Sequence, residues 1–326
     1  MMPAAVARRG LIRPRRDDEF FGEVIAGLGS KPKTISSKWL WDERGSELYE
    51  RICDTPEYYV ARAERDLLER HAREIADAIG PRAVLVELGP GNADRTRVLL
   101  DWLEEPERYV PVELTREHLR TTAEALRREY RGLAVEPLTL DFARGLAIPR
   151  HVCAARDGGR TTVLLGGGTI GNFHPHEAVS VLARAALSAG QGGTVLVGVD
   201  LKKPKRTIES AYDDRQGATA AFNRNLLVRI NREIGATFDV TRFAHSAPYD
   251  PIRGRVEMRL VSESAQTVLV GGCEIHLARG EWIVTEHSYK YDLAEFQQLA
   301  RRAGLAPVRA WTDEKRRVSL HELAVR

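Results

Sequence analysis

Two apolar runs in this sequence, one followed by a glycine turn and the other ending at an acid, indicate a ligand-binding site. The run AVLVEL at 83–88 stops at the turn Gly89-Pro90-Gly91, and a helical pattern follows it. The next run, YVPVEL, contains Glu113, an acid 22 positions after Gly91. Such a strand, glycine turn and acid form the adenosine-binding half of an α/β nucleotide fold. The glycines let the backbone approach the ligand closely, and the acid accepts hydrogen bonds from both ribose hydroxyls.

The turn differs from the dinucleotide-binding fingerprint G-x-G-x-x-G at its third glycine, which is Asp94 here. That glycine lets a helix pack closely enough for a pyrophosphate to lie on its N-terminus. The turn therefore favours an adenosine ligand without phosphate, such as S-adenosylmethionine (SAM), in which adenosine is joined to a charged amino acid. A plain tight turn is the alternative interpretation of a short Gly-x-Gly signal.

Two further strand ends carry polar or glycine-rich segments. In LTLDF, Asp141 could accept from an adenine amino group while Phe142 covers the ring. In GGGTIGNF at 166–173, three consecutive glycines indicate close approach of the backbone to a ligand, and Asn172 could donate to a substrate carboxylate. The alternatives are a strand-end turn and an ordinary glycine loop.

Later segments supply polar groups that could contact a substrate. In AYDDRQG, Tyr212 stands beside two acids, of which Asp213 or Asp214 could simply cap the following helix. In TEHSYKY, Glu286 and Ser288 are two residues apart, so they share one strand face. A carboxylate and a hydroxyl on one face could bind an imidazole or another donor group. An exposed polar strand face is the alternative.

Composition excludes several classes of protein. The 326 residues, with 43% hydrophobic and 29% charged content, fit an ordinary globular chain. A formal net charge of +3 is too small to imply a nucleic-acid partner, and the longest apolar runs are too short to span a membrane.

Local composition predicts the compartment and the absence of a metal. Five arginines in the first 16 residues predict a disordered basic tail at 1–16, because the acidic DDEFF that follows ends the alternative transit-peptide pattern. The closest histidines, His174 and His176, lack metal-ligand spacing. Three scattered cysteines show neither pairing nor zinc spacing, so we expect a cytoplasmic protein without a metal; they are Cys53, Cys153 and Cys273.

Alternating strand and helix patterns predict the α/β fold that must position these groups. The strand candidates are 83–88, 109–114, 134–140, 161–166 and 193–200. The helix candidates are 62–79, 93–104, 115–130, 175–189 and 291–303. This alternation predicts a mostly parallel, doubly wound sheet, closed by 307–312 and 317–325 as a pair of edge strands.

Residues 201–289 interrupt the alternation with a helix and short alternating segments typical of antiparallel strands. We predict a discontinuous α+β substrate-binding domain formed by 17–61 and 202–289. Residues 62–201 and 290–326 would form the nucleotide-binding core. The site would lie between the two domains, at the carboxyl ends of the strands.

In this order, the motifs resemble those of the histidine N-alpha-methyltransferases of ergothioneine biosynthesis. The resemblance covers about residues 28–326 and includes PKTISSKWLWDERGSELYERICDTPEYY, VELGPG, LDF, GGGTIGNF, VDLKKP, AYDD, HSAPYD, RVEMRL, TEHSYKY and WTD. It implies a class I (Rossmann-like) methyltransferase core with SAM as cofactor and S-adenosyl-L-homocysteine (SAH) as its product. It also implies a monomer, because the cleft of this family is completed within one chain.

The resemblance also assigns residues to roles. It places the methyl-donor site on Gly89, Gly91, Arg95, Glu113, Asp141 and Phe142. It places the substrate carboxylate at Asn172 and Tyr212, the imidazole at Glu286 and Ser288, and an apolar wall at Met258. Tyr58 and Thr169 would lie near the reacting amine.

One departure from the family pattern falls at Trp41, where the family has a tyrosine beside the reacting amine. The indole N–H can only donate a hydrogen bond, but its ring offers a π face to a cation. The leading hypothesis is SAM-dependent methylation of the α-amino group of L-histidine, to N,N,N-trimethylhistidine. The alternatives are a mono- or dimethylating variant, methylation of another amino acid such as tryptophan, and a non-catalytic SAM-binding module. A nucleotide-dependent oxidoreductase is disfavoured by Asp94.

Overall fold

The computed structural model describes residues 19–142, 145, 148–156 and 158–326, so the predicted tail at 1–16 lies outside the described residues. Its helices are α1 (Glu19–Leu28), α2 (Glu43–Cys53), α3 (Val60–Ile79), α4 (Asp94–Leu100), α5 (Arg116–Glu129), α6 (Arg150–Cys153), α7 (Pro175–Ala189), α8 (Lys205–Tyr212), α9 (Ala218–Ile234) and α10 (Leu293–Arg302). Its strands are β1 (Lys33–Thr34), β2 (Val84–Leu88), β3 (Arg108–Glu113), β4 (Ala134–Val135), β5 (Leu138–Thr139), β6 (Thr161–Leu165), β7 (Thr194–Asp200), β8 (Phe243–Ser246), β9 (Tyr249–Asp250), β10 (Arg255–Ser262), β11 (Gln266–Val270), β12 (Cys273–Leu277), β13 (Trp282–Tyr289), β14 (Leu305–Thr312) and β15 (Val318–Val325).

The central sheet has eight strands in the order β14-β15-β7-β6-β2-β3-β4, with β5 also paired to β3. The strands from β7 to β4 run parallel, whereas β15 is antiparallel to both its neighbours. Strands β2, β6 and β7 are buried along their whole length and mostly apolar, as expected for parallel strands covered by helices on both faces. The predicted doubly wound α/β sheet is therefore confirmed.

The predicted pair of closing edge strands is wrong in one member. Strand β15 lies inside the sheet, hydrogen-bonded to β7 on one side and to β14 on the other, so only β14 is an edge strand. The polar side chains of β15 are enclosed by these neighbours, since His321 is fully buried and Glu322 nearly so. The predicted strand 134–140 is divided into β4 and β5 at Glu136-Pro137, where proline cannot donate to the ladder.

A second sheet has the order β1-β13-β10-β8, with β9 also paired to β10, and β11 and β12 form a separate hairpin. Along β10 the residues alternate between half-buried and buried, and the buried face packs against α9. The N-terminal segment joins this layer through Asp42, whose carboxylate accepts from Asn225 at 2.8 Å and pairs with Arg232 at 2.8 Å. The domain boundaries stay a prediction. No helix in the described part of the chain is long and apolar enough to cross a membrane.

Candidate active site

A single cavity of about 1250 Å³ lies at the carboxyl ends of the parallel strands, between the two sheets. Each parallel strand from β2 to β7 delivers a loop to this edge of the sheet, where ligands bind in open α/β folds. The cavity is lined by all fourteen residues predicted from the sequence, namely Trp41, Tyr58, Gly89, Gly91, Arg95, Glu113, Asp141, Phe142, Thr169, Asn172, Tyr212, Met258, Glu286 and Ser288.

One end of the cavity is formed by the glycine turn after β2 and by the last residue of β3. Gly89 and Gly91 have backbone φ angles of 71° and 57°, which residues other than glycine rarely adopt. A Cβ built at either position would meet no atom within 4 Å. The N–H of Gly89 donates to the carbonyl of Val112 at 2.9 Å, so the turn is fixed against β3. Glu113 then projects its carboxylate into the cavity, where desolvation raises its pKa.

Arg95 is held by an acid that the sequence did not reveal. Glu64, a buried residue of α3, pairs with the Arg95 guanidinium at 2.8 Å. The same carboxylate accepts from the backbone N–H of Gly167 at 2.8 Å, so it also fixes the loop after β6. The neighbouring carboxylates raise the pKa of Arg95 despite its burial. A lone acid on the apolar face of the predicted helix 62–79 was the signal that could have identified Glu64.

Asp141 and Phe142 follow β5 and lie beside residues from distant parts of the chain. The Lys38 ammonium is 3.5 Å from an oxygen of Asp141, although 103 residues separate them in the sequence. Phe142 packs edge-on against Phe173, with ring centroids 6.4 Å apart. Lys38 belongs to a 3₁₀ turn, 37–40, so the N-terminal segment closes over this end of the cavity.

The other end of the cavity is formed where the loop after β6 meets β13. Thr169 and Asn172 belong to a 3₁₀ turn, 169–172. Its Gly171 lies so close to β13 that a Cβ there would be 2.6 Å from the carbonyl oxygen of Tyr289. This contact sets the distance between Asn172 and the polar face of β13.

Glu286 and Ser288 lie on that face of β13 and line the cavity. The register between β10 and β13 shifts beside the paired residues Met258 and Glu286, and such bulges commonly re-aim side chains near functional sites. Within the described residues the Glu286 carboxylate has no hydrogen-bond partner, and desolvation raises its pKa to about 7. The Tyr212 hydroxyl is 2.8 Å from the Ser288 hydroxyl.

Asp214, beside Tyr212, has a structural role. Its carboxylate accepts from the backbone N–H groups of Ala218 and Thr219 at 2.9 and 2.7 Å. These N–H groups lie in the first turn of α9 and have no partner within the helix. Asp214 therefore caps α9, which is the structural interpretation that the sequence offered for Asp213 or Asp214.

Aromatic rings form the wall between the two ends. Trp41 packs edge-on against Tyr49 and Phe222, with centroids 4.9 and 5.5 Å apart. The ring of Tyr58 packs edge-on against that of Tyr212 at 6.3 Å, and the Tyr58 and Tyr49 hydroxyls are 3.2 Å apart. Burial raises the pKa of Tyr58 well above its usual value, so its phenol is neutral near pH 7. Sequence analysis did not assign Tyr49 or Phe222 to the site.

Class I SAM-dependent methyltransferases have a doubly wound sheet with one antiparallel strand near an edge. Their ligand cleft contains a glycine turn and an acid at the end of the next strand, as this chain does. The model of the histidine-specific, SAM-dependent methyltransferase family matches residues 20–325. The chain therefore belongs to this family, and it is an enzyme that uses SAM as its methyl donor.

Relatives agree with this assignment. The chain is 39% identical over 299 residues to the histidine N-alpha-methyltransferase of Mycobacterium tuberculosis, covering 90% of each chain. It is 37% identical to the histidine N-alpha-methyltransferase of Mycolicibacterium smegmatis, covering 89% of this chain and 90% of the other. It is 30% identical to ergothioneine biosynthesis protein 1 of Neurospora crassa, covering 86% of this chain but 32% of that longer protein.

Proposed function

We propose that this enzyme transfers methyl groups from SAM to the α-amino nitrogen of L-histidine. The observation that carries the proposal is the joining of two kinds of site in one cavity. Glu286 and Ser288 on β13 face the same space as Asn172 and Tyr212, and that space continues to the glycine turn and Glu113. A carboxylate and a hydroxyl suit the two ring nitrogens of an imidazole, while an amide and a phenol suit a carboxylate.

The cofactor end would hold SAM through its adenosine. In this arrangement Glu113 accepts from the ribose hydroxyls, Asp141 accepts from the adenine amino group, and Phe142 covers the ring. Gly89 and Gly91 allow the backbone to approach the methionine part of SAM, and Arg95 borders the same space. At the other end, Asn172 and Tyr212 hold the carboxylate of histidine, and Met258 forms the apolar wall beside the imidazole.

The reaction is an in-line displacement in which the amine lone pair attacks the methyl carbon and the sulfonium leaves as the thioether of SAH. Because the sulfonium is already activated, positioning of the two reactants supplies most of the catalysis. The ammonium must first lose a proton. Tyr58 is a neutral phenol near pH 7, so it would accept a hydrogen bond from the amine and pass the proton on with Thr169 or water, rather than act as a phenolate base.

We propose that methylation continues to N,N,N-trimethylhistidine, within an ergothioneine-type pathway. Each methylation removes an N–H donor and leaves a bulkier, more apolar cation. The aromatic wall of Trp41, Tyr49, Tyr58 and Phe222 suits such a cation, because ring faces attract cations by about 0.5–2 kcal/mol each.

The π face of Trp41 predicts a selective effect on the later methylations. Trp41→Ala should lower kcat/KM for N,N-dimethylhistidine about tenfold more than kcat/KM for histidine, whereas Trp41→Tyr should behave like the unmodified enzyme. Steady-state rates with both substrates measure this. Trp102→Ala is the matched control, because Trp102 is 54% exposed and lies outside the cavity. Equal decreases in kcat/KM for the two substrates would show that Trp41 does not determine the number of methyl groups added.

A substrate panel tests the proposed activity. SAH release should be fastest with L-histidine, and far slower with L-tryptophan or with histamine, which lacks the carboxylate. If SAH release is fastest with L-tryptophan, tryptophan and not histidine is the substrate. Binding of SAM without SAH release on any amino acid would instead support a non-catalytic SAM-binding module.

The pKa of Glu286 predicts how histidine binding depends on pH. With a pKa of about 7, its carboxyl is protonated below pH 7 and ionised above it. Since the ionised form accepts more strongly from an imidazole N–H, the dissociation constant of histidine should fall up to about tenfold per pH unit as pH rises towards 7.

Glu286→Gln separates the titration of Glu286 from that of histidine, because free histidine titrates identically whether it is added to the variant or to the unmodified protein. The variant should bind histidine about tenfold more weakly above pH 7 and should lose the pH-dependent difference. Calorimetric titration of histidine in the presence of SAH measures both quantities. Parallel pH profiles for the two proteins would exclude Glu286 as the titrating group.

A further inference from the structure

Lys290 is a fully buried lysine directly behind the hydroxyl groups of the proposed substrate site, and no part of the proposed function uses it. Its ammonium donates to the hydroxyls of Tyr212 and Ser288, each at 2.7 Å, and pairs with Asp200 at 2.8 Å. A lysine ammonium has three N–H donors and no acceptor, so all its donors are used in these contacts.

These contacts constrain the direction of the hydroxyl protons. Lys290 occupies one lone pair on Tyr212 and one on Ser288, and the two hydroxyls also share a hydrogen bond of 2.8 Å. One hydroxyl proton lies in that shared bond. The other proton is then free to point into the cavity, so the pair presents a donor to the ligand.

Two buried ammonium groups lie beneath this wall. Asp200 also binds the ammonium of Lys203 at 2.6 Å and the hydroxyl of Tyr59 at 2.9 Å. Two buried ammonium groups therefore share one carboxylate, and Asp313, the next acid near Lys203, is paired with Arg317 at 2.9 Å. The buried carboxyl of Glu286 also interacts with Lys290 and offsets part of this charge when it is ionised. The Lys290 ammonium itself is in direct contact with Tyr212, in a region of low dielectric where its charge acts strongly.

We propose that Lys290 is a positioning residue that makes the site select substrates with a free α-carboxylate. It leaves the Tyr212–Ser288 pair with one free hydroxyl proton for the ligand and, with Lys203, places buried positive charge behind the carboxylate position. A neutral amide at that position would gain no charge attraction, and its carbonyl would accept from the hydroxyl donor more weakly than a carboxylate does. This inference rests on the proposed function and names the group that sets its substrate class.

The test compares ligands that differ only in the carboxylate. L-Histidine and L-histidinamide are titrated into the SAH complex of the unmodified protein and of Lys290→Met, a side chain of similar length without charge. The variant should bind histidine about 10- to 100-fold more weakly, as expected for loss of hydrogen bonding to a charged group. Its affinities for histidinamide and SAH should change by less than about threefold, so the preference for the carboxylate should largely disappear.

Lys202→Met is the matched control, because Lys202 is an exposed lysine of the loop after β7 that pairs with Glu295 and does not line the cavity. It should retain the preference for histidine. Where Lys290→Met does not fold, Lys290→Gln keeps a neutral donor for the two hydroxyls and for Asp200 while it removes the charge, and it should show the same loss of preference.

The outcomes separate this inference from the proposed function. A folded variant that keeps the preference for histidine over its amide, or loses both ligands equally, overturns the role of Lys290 alone. Binding of another amino acid over its amide, but not of histidine, would overturn histidine as the substrate. In that case, loss of this preference in Lys290→Met would still support the positioning role.

Discussion

Glu113→Ala is expected to weaken SAM binding by about 100-fold or more, because it removes the acceptor proposed for two ribose hydroxyls, and each hydrogen bond to a charged group contributes about 1.5–3 kcal/mol. Glu113 ends β3 at the cavity edge, beside the glycine turn that borders the same end of the cavity. Calorimetric titration with SAM or SAH measures the dissociation constant directly.

Glu117→Ala is the matched control for this change. Glu117 lies in the first turn of α5, four residues further along, and is an exposed residue paired with Arg120. Its removal should leave the SAM dissociation constant within about twofold, since exposed ion pairs contribute little. A Glu113→Ala protein that binds SAM as tightly as the control would show that the ribose is held elsewhere.

Gly171→Ala is expected to lower kcat/KM by about 100-fold, since a displacement near 1 Å can cost that much. The added Cβ would lie 2.6 Å from the carbonyl oxygen and 3.2 Å from the amide nitrogen of Tyr289, so the 3₁₀ turn must move away from β13. Asn172 moves with the turn, whereas Glu286 and Ser288 stay on the strand. The variant should retain SAM binding, because the residues proposed to hold the adenosine lie at the carboxyl ends of β2, β3 and β5 or in the turns that follow them.

Initial rates over a range of histidine concentrations, together with SAM titration, test this expectation. Gly22→Ala is the control, because a Cβ at Gly22 meets no atom within 4 Å and alanine favours the helix α1. Activity of Gly171→Ala close to that of this control would contradict the claim that this close contact sets the site geometry.

The sequence predicted which residues line the cavity, whereas their roles in binding and catalysis stay predictions. Strand ends followed by glycines or acids can be recognised locally, and the rules for parallel sheets bring their carboxyl ends to one edge. Glu113, Asp141 and Asn172 therefore line one cavity as expected. Glu286 and Ser288 were recognised as one strand face from their spacing of two residues.

Residues whose role depends on long-range charge pairing could not be predicted in the same way. Lys290 pairs with Asp200, 90 residues earlier, and neither side chain has a local pattern that predicts complete burial. Glu64 and Lys38 likewise reach the site from helical or turn segments whose partners lie far along the chain. Such contacts depend on how the two sheets pack together. The hydrophobic periodicity of the sequence predicts single helices and strands but not this packing.

The position of β15 was mispredicted for a related reason. The two last strands were predicted as a closing pair of edge strands, but the polar residues of β15 have partners inside the protein. The Ser319 hydroxyl lies 3.0 Å from a ring nitrogen of His321, and Glu322 pairs with Arg309 of β14 at 2.9 Å. The local alternation identified the strand correctly, whereas its place in the sheet depended on these partners.

Mass spectrometry of the products tests the central claim most directly. The purified enzyme is incubated with L-histidine and excess SAM, beside L-tryptophan and a reaction without substrate, and product fragmentation locates the added methyl groups. The account predicts histidine carrying three methyl groups, all on the α-nitrogen, with SAH formed in proportion. Methyl groups on the imidazole ring, or no methylated histidine from an enzyme that binds SAM, would contradict it.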